Sequence, residues 1–278
     1  RRVLFRSVLK DIYTRTLTGI VFLIVVLGSI ILDPLAFFIV FSFFTFVGLR
    51  EFYGLSRKDQ KNKNNIEYYV FGILIYILIG LSGIGYIDVR NTAFIFVIFF
   101  LQIAFEIFRK DNPDWKNIST SLTGYIYVAI PFGLMNSLFY TGAINEPRYG
   151  ILIGIFLVIW TSDVFAYLVG SMIGKHRLFE RISPKKSWEG SFGGLIMAMI
   201  AGYILSIYVT QLSVLEWMIL TLIIVVSGTI GDLVESLLKR NAGVKDSGTI
   251  FPGHGGVLDR FDSIIFATPM VFVYLNLI

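Results

Sequence analysis

The sequence of 278 residues contains no cysteine and only 15% charged residues. Without cysteine it has no disulfide, no thiolate zinc site and no cysteine nucleophile. Hydrophobic residues make up 55% of the chain, and its mean hydropathy is +0.75. A soluble domain of this size could not bury so much apolar surface in one core. The composition therefore predicts an integral membrane protein.

Several familiar catalytic motifs are also missing. The chain has no GxxxxGK[ST] phosphate loop, no HExxH metal-binding helix and no GxSxG nucleophile turn. It also lacks the DGxxAR-type aspartate pattern of membrane enzymes that transfer an alcohol onto a CDP-lipid. These absences leave metal-assisted phosphate chemistry as the reaction class that the remaining polar residues indicate.

The hydrophobic runs predict an all-α, polytopic membrane protein with about nine transmembrane helices. A helix needs about 20 apolar residues to cross the hydrocarbon core. The first two runs are separated only by Asp33-Pro34, which predicts either a tight helical hairpin or a pair that does not fully span. We make no structural prediction for residues 1–7. The candidate runs are 17–32, 35–50, 68–87, 92–108, 118–141, 150–173, 191–210, 215–238 and 263–278.

The distribution of Lys and Arg predicts the orientation, because positively charged loops stay in the cytoplasm. With the amino terminus inside, the inside segments and the neighbouring Arg50 hold every Lys and Arg except Arg90 and Arg148. We therefore expect a multi-pass protein of the cell (inner) membrane with cytoplasmic active-site loops. The inside segments are 1–16, 51–67, 109–117, 174–190 and 239–262.

Asp163, Asp232 and Glu235 are acidic residues within hydrophobic runs. A charge at the middle of a membrane helix costs about 2.5 to 3.5 kcal/mol on insertion scales, so it normally faces a polar cavity or a partner. Glu235 and Lys239 lie at i and i+4, and an ordinary intrahelical ion pair explains them. Asp232 lies a turn deeper and has no local partner, so we expect it to bind a divalent cation or a basic residue elsewhere.

The stretch KDSGTIFPGHGGVLDRFD, residues 245–262, is the least hydrophobic long segment. Its Pro252-Gly253 and Gly255-Gly256 pairs predict a tight loop with positive φ angles, whose N–H groups can converge on an anion. Asp259 is typical of a ligand position, whereas Asp262 fits helix capping equally well. A loop that only sets topology would explain the Lys and Arg residues but not this Asp, Gly and His pattern.

A second basic loop, GKHRLFERISPKKSWEGS, follows the sixth hydrophobic run. Basic cytoplasmic loops are expected in any membrane protein, so topology is the simpler explanation. Lys185, Lys186 and Ser187 nevertheless precede a glycine-rich helix start and could offer anion donors on the same side.

One motif resembles the signature of the phosphatidate cytidylyltransferase family, also called CDP-diacylglycerol synthases. It reads Ser236-x-x-Lys239-Arg240-x4-Lys245-Asp246-x5-Pro252-Gly253-His254-Gly255-Gly256-x2-Asp259-Arg260-x-Asp262. The segments SDVFAYLVG and SPKKSWEG also look like parts of this family, so the resemblance covers roughly residues 155–265. One membrane domain, 1–278, is then the simplest organisation, with less specific helices in 1–150 and catalytic helices with the signature loop in 151–278.

The resemblance implies a reaction in which CTP and phosphatidic acid give CDP-diacylglycerol and pyrophosphate with Mg2+. The family's metal pair maps onto Asp232 and Asp259, and Asp262, Asp163 and Glu235 are weaker metal candidates. A second, monovalent cation is left open. The expected catalytic residues are Asp232, Asp259, Lys239 and Arg260. The expected substrate-binding residues are Ser236, Arg240, Lys245, Asp246, Gly253, His254, Gly255, Gly256, Lys185, Lys186 and Ser187.

Two other functions compete with this assignment. A CTP-dependent lipid kinase of related architecture would transfer the γ-phosphate, and an ion-coupled transporter would also use intramembrane carboxylates. The expected partners are CTP, phosphatidic acid and membrane lipid, without nucleic acid, and a homodimer is left open.

Overall fold

The computed structural model describes residues 2–56, 66–109, 113–140 and 147–278, with side chains from residue 13. Within these ranges the chain is almost entirely helical, which confirms the all-α prediction. Short 3-10 or π turns occupy Val89–Ala93, Tyr125–Ala129 and Leu138–Tyr140. The helices are α1 (Arg2–Leu32), α2 (Pro34–Ser56), α3 (Ile66–Gly83), α4 (Phe94–Ile107), α5 (Trp115–Gly124), α6 (Ile130–Ser137), α7 (Tyr149–Ile173), α8 (Trp188–Tyr208), α9 (Val214–Asn241) and α10 (Leu258–Leu277).

Eight segments of the described chain are long and apolar enough to cross a membrane. They correspond to the first eight predicted spans, with ends that differ by a few residues. The ninth prediction, 263–278, corresponds to α10. This helix begins five residues earlier than predicted, and its first turns carry Asp259, Arg260 and Asp262. These charges lower the mean hydropathy of α10, so it is not one of the eight.

Helices α1 and α2 form a helical hairpin, which is one of the two alternatives that the sequence left open. Their apolar parts, Tyr13–Leu32 and Pro34–Ser56, are 20 and 23 residues long, which is sufficient for both to span. Asp33 lies between them, and its Oδ1 accepts a hydrogen bond from the Leu35 backbone N–H at 2.7 Å. A carboxylate at this position satisfies a free N–H group at the start of α2. Much of the predicted inside segment 51–67 lies outside the described residues.

The basic loop between α7 and α8 contains regular structure that the sequence did not predict. It contains an antiparallel hairpin of β1 (Arg177–Phe179) and β2 (Ser183–Ser187). Ser187 ends the hairpin and caps α8, since its Oγ accepts a hydrogen bond from Gly190 N–H at 3.2 Å. The hairpin therefore fixes Lys185 and Lys186 immediately before the first turn of a helix.

Helices α7 and α8 pack closely because glycine removes side chains between them. A Cβ atom at Gly194 would lie 2.6 Å from the backbone oxygen of Ser162 and 3.0 Å from the Ala166 Cβ. Similar contact joins α9 to α10, where a Cβ at Gly231 would lie 2.5 Å from the Asp262 backbone oxygen. Small residues allow this approach in membranes, where helix association depends on van der Waals packing.

Phe261 anchors the start of α10 in the protein core. Its ring centroid lies 5.4 Å from that of Phe22, 5.5 Å from Phe41, 5.1 Å from Phe44 and 5.2 Å from Phe132. These rings come from α1, α2 and α6, so one side chain joins the amino-terminal helices to α10. Three of the four pairs are edge-to-face, a favoured geometry for aromatic rings.

The glycine contact between α7 and α8 leads to a stability prediction. Gly194→Ala should destabilise the protein by about 1 to 3 kcal/mol, because the added methyl group meets backbone that cannot move aside locally. Gly54→Ala is the matched control, since nothing lies within 4 Å of a Cβ there. Thermal unfolding in detergent should show a lower midpoint for Gly194→Ala alone; equal midpoints would contradict the packing argument.

Candidate active site

One large cavity joins the two polar segments that the sequence singled out. Its volume is about 1140 Å3. It lies among α1, α7, α9, the β-hairpin and the loop that leads into α10. Charged and polar side chains form one part of its lining, namely Asp163, Arg177, Lys185, Lys186, Ser187, Asp232, His254, Asp259, Arg260 and Asp262.

Asp232 has a partner that the sequence analysis did not identify. Lys186 Nζ forms an ion pair with Asp232 Oδ2, and both side chains are 27% exposed. Ser236 Oγ donates a hydrogen bond to Asp232 Oδ1 at 3.3 Å, which the i, i+4 spacing anticipates. Asp232 therefore has a hydroxyl partner within its own helix, whereas its basic partner comes from the hairpin.

Asp259 is held by four donor groups. Its Oδ1 lies 2.7 Å from Lys239 Nζ, and its Oδ2 accepts hydrogen bonds from Ser247 N–H at 2.8 Å, Ser247 Oγ at 2.9 Å and Gly256 N–H at 2.8 Å. The side chain is 6% exposed. Such an arrangement fixes both carboxylate oxygens while leaving the residue at the cavity wall.

Lys239 connects two acidic residues. It forms the predicted intrahelical ion pair with Glu235, one turn earlier on α9. It also pairs with Asp259 on α10. Glu235 is fully buried and is not part of the cavity lining. Lys239 therefore links α9 to α10, whereas Glu235 serves to compensate its charge.

Asp262 does not cap α10, because the helix begins four residues before it at Leu258. The capping alternative is therefore wrong. Its Oδ1 accepts a hydrogen bond from Ser263 N–H at 2.7 Å, and the residue lines the cavity with Asp163 and Asp232.

The glycine-rich loop has the tight geometry that its sequence predicted. Gly253 and Gly255 have φ angles of 76° and 85°, which residues with a Cβ rarely adopt. Phe251 N–H donates to the Gly255 carbonyl at 2.9 Å, and this bond closes the turn. Gly256 has no positive φ, but a Cβ there would lie 2.4 Å from oxygens of Glu51 and Ser247.

His254 lies against α1, with its Cε1 atom 3.7 Å from the Cβ position of Gly19. Its Nδ1 atom is buried and has no hydrogen-bond partner among the described residues. Burial lowers the pKa of His254 below its usual value, and the positive charges of Arg260 and Arg15 lower it further. The imidazole is therefore neutral near pH 7, and its N–H group can donate a hydrogen bond to a phosphate oxygen.

Some predicted binding residues lie outside the cavity lining. Arg240 Nη1 donates to the Val244 carbonyl at 3.3 Å, and Lys245 and Asp246 are exposed. None of these three residues lines the cavity as the described part of the chain forms it. Their roles stay predictions.

Sequence reasoning missed the contribution of the first two helices. Thr18 Oγ1 donates to the Pro252 carbonyl at 3.2 Å, and Thr18, Gly19 and Phe22 line the cavity from α1. Glu51 on α2 accepts hydrogen bonds from the loop. The available signal was a carboxylate directly after the apolar run 35–50, but its partners are more than 190 residues away in the sequence.

The carboxylates in the cavity fit a hard cation, since magnesium prefers oxygen ligands and usually binds one or two carboxylates together with phosphates. Asp232 and Asp259 each already face a lysine ammonium group, so both positions accept positive charge. Within the described residues no group of three or more His, Cys, Asp or Glu side chains is arranged around a common metal position. Two carboxylates are as many as magnesium commonly takes from a protein, so the donor set fits such an ion.

The sequence matches the model of the Cytidylyltransferase family over residues 13–278. The chain belongs to the cytidylyltransferase family. The predicted resemblance is thus confirmed, and it extends over nearly the whole chain. Family membership identifies an enzyme, a CTP-dependent nucleotidyltransferase.

Several relatives of this cytidylyltransferase-family member carry the name phosphatidate cytidylyltransferase. The protein from Staphylococcus saprophyticus is 35% identical over 270 residues, and that from Staphylococcus aureus strain COL is 34% identical over 263 residues. A relative from Staphylococcus epidermidis is 32% identical over 274 residues. Each alignment covers 94% of this chain and 98% of the relative.

The ion pairs that Lys239 forms with Glu235 and Asp259 lead to a second stability prediction. Lys239→Met should cost about 3 to 5 kcal/mol, because it leaves buried Glu235 without its counter-ion. Adding Glu235→Gln removes that uncompensated charge and should restore part of the loss. The double-mutant cycle is measured by thermal unfolding in detergent, and strictly additive effects would show that the pair is not coupled.

Proposed function

We propose that this enzyme transfers the cytidylyl group of CTP to phosphatidic acid and releases CDP-diacylglycerol and pyrophosphate. The observation that carries the proposal is the two-sided lining of the cavity. Phe22, Leu23, Trp160 and Val164 provide an apolar part, and the aspartates, lysines and arginines provide a polar part. A lipid phosphate has an apolar tail and an anionic head, so it matches both parts. The names of the relatives support the same substrate.

The cations of the cavity are suited to the phosphate groups of both substrates. Lys185 and Lys186 come from β2, Arg177 from β1 and Arg260 from the first turn of α10. Arginine and lysine form charge-assisted hydrogen bonds with phosphate oxygens, which are shorter and stronger than neutral ones. These four residues would hold the triphosphate and the lipid head group close together.

Asp232 and Asp259 would hold a magnesium ion, with Asp163 and Asp262 beside them in the same cavity. Glu235 is a poorer candidate because it is enclosed with Lys239. A bound magnesium ion would supply positive charge to neutralise the triphosphate and the leaving pyrophosphate. Whether a monovalent cation accompanies it stays a prediction.

The reaction we propose is a direct displacement. An oxygen of the lipid phosphate attacks the α-phosphorus of CTP, the bond from that phosphorus to the bridging oxygen of the β-phosphate breaks, and pyrophosphate departs with the electron pair. Phosphate monoesters are mostly ionised at pH 7, so the enzyme needs no strong general base. Lysine, arginine and neutral His254 position the phosphates and stabilise the developing charge. No covalent enzyme intermediate forms.

Product analysis with labelled CTP tests this function. Purified protein, phosphatidic acid and Mg2+ should convert CTP labelled at the α-phosphate into labelled lipid. A CTP-dependent lipid kinase would instead place a γ-phosphate label in a lipid, and a transporter would transfer neither label. Either of those results would overturn the proposal.

The two proposed magnesium ligands should be essential for turnover. Asp232→Asn and Asp259→Asn should each lower the rate by about 10²- to 10³-fold, as expected when one transition-state charge contact is lost. Asp88→Asn is the control, because Asp88 caps a 3-10 turn outside the cavity and asparagine caps equally well. Near-normal turnover of a folded Asp232 or Asp259 variant would contradict the assignment.

We further propose that the cavity opens to the cytoplasm, where CTP is dissolved, while phosphatidic acid reaches it from the leaflet. The positive-inside distribution supports this orientation in the inner membrane. The single membrane domain with its catalytic part in 151–278 stays a prediction. A homodimer and the absence of a nucleic-acid partner stay predictions.

Cysteine labelling tests the orientation, since the chain has no native cysteine. A cysteine at exposed Lys175, in the segment that leads into the hairpin, should react with a membrane-impermeant thiol reagent only after the cytoplasmic side is opened. Arg90→Cys is the counterpart at the predicted outer end, where the arginine side chain is 92% exposed. The reverse labelling pattern would refute the proposed membrane face.

A further inference from the structure

Glu51 on α2 reaches the active-site loop although it belongs to the amino-terminal half of the chain. Its Oε1 accepts a hydrogen bond from Val257 N–H at 2.9 Å. Its Oε2 accepts a bond from Leu258 N–H at 2.9 Å and lies 2.9 Å from Ser247 Oγ, whose single hydroxyl proton it shares with Asp259. The residue is 9% exposed, so these three bonds replace most of the water that a carboxylate would otherwise bind.

Glu51 belongs to α2 but accepts hydrogen bonds from backbone N–H groups at the start of α10. The N-cap residue of α10 is Val257, whose side chain cannot accept a hydrogen bond. The first N–H groups of a helix have no partner within it and carry partial positive charge. Glu51 supplies the oxygen atoms and the negative charge that a serine or aspartate cap would normally provide.

The loop leaves space for this carboxylate at two glycines. A Cβ at Gly248 would lie 2.3 Å from Glu51 Oε1, and one at Gly256 would lie 2.4 Å from both Glu51 oxygens. Any side chain at either position would displace the carboxylate. The loop segments around Gly248 and Gly256 therefore both pack closely against the Glu51 carboxylate.

Ser247 connects Glu51 to the proposed metal ligand. Its hydroxyl lies 2.9 Å from Glu51 Oε2 and 2.9 Å from Asp259 Oδ2, and its backbone N–H also donates to Asp259. Asp259 itself is in the first turn of the helix that Glu51 caps. Glu51 and Asp259 are thus connected in two ways, through the Ser247 hydroxyl and through the first residues of α10.

We propose that Glu51 is a positioning residue that holds Asp259 and the glycine-rich loop in the geometry required for catalysis. This inference rests on the proposed function, in which Asp259 is a magnesium ligand. Glu51 is not part of the cavity lining, so it acts through the loop and does not contact substrate. Groups that orient a metal ligand in this way typically change metal affinity or activity by about 10- to 100-fold when they are replaced.

Glu51→Gln tests the proposal with little change in shape. The amide retains one acceptor oxygen but turns an NH2 group toward backbone or hydroxyl donors. In the full-length protein, hydrogen–deuterium exchange should become faster in the segment 246–258. In the CDP-diacylglycerol assay, kcat should fall about 10- to 100-fold, and the Mg2+ concentration for half-maximal activity should rise.

Glu106→Gln is the matched control. Glu106 is also buried, at 1% exposure, and also accepts a backbone hydrogen bond, from Asp114 N–H at 3.2 Å, together with one from Asn117 Nδ2 at 2.7 Å. It belongs to α4 and contacts the start of α5, outside the cavity lining. Its replacement should leave both the exchange of 246–258 and the Mg2+ requirement unchanged, even where the protein becomes less stable.

Ser247→Ala provides a second variant that keeps the cap of α10 intact. It removes the hydroxyl shared by the two carboxylates, so kcat and the Mg2+ requirement should change in the same direction as in Glu51→Gln but less. A folded Glu51→Gln protein with wild-type exchange and kinetics would overturn the inference. Failure of the proposed function is a separate result, because the unmodified protein would then form no CDP-diacylglycerol.

Discussion

The carboxylate of Asp259 lies where α9, α10 and the glycine-rich loop meet, and it accepts bonds from α9 and from the loop. Lys239 approaches from α9, Ser247 and Gly256 belong to the loop, and Asp259 itself begins α10. A buried carboxylate is stable only when its charge is compensated by such donors. The requirement to satisfy this one group therefore fixes the loop, and the loop in turn places His254 and the adjoining Arg260 at the cavity.

Placing charge inside a bundle of apolar helices is costly, and this protein compensates it in pairs. Lys186 compensates Asp232, and Lys239 compensates Glu235 together with Asp259. Replacing such a pair by apolar residues often stabilises a protein, so stability alone does not account for it. The proposed site for a triphosphate and a lipid phosphate would account for Lys186, Asp232 and Asp259, because these residues line the cavity and would have anions or a cation to bind.

The long helices were predictable because the bilayer imposes a length on every apolar run. The glycine turn at 253–256 was predictable because positive φ angles favour glycine. The hairpin of 177–187 was not predicted, since its short strands contain mostly polar residues without the alternation that indicates a strand. The beginning of α10 was also misplaced, because its cap comes from Glu51 on another helix and no local capping residue marks it.

By itself, the sequence determined the membrane class, the approximate spans and the family, and it predicted most of the charged residues of the proposed site. These follow from composition, local periodicity and a motif with fixed spacing, which are properties of neighbouring residues. Only the tertiary structure decided that Lys186 pairs with Asp232, that α1 lines the cavity and that Glu51 caps α10. Each of these contacts joins residues far apart in the chain, and their partners depend on which helix faces meet when the bundle packs.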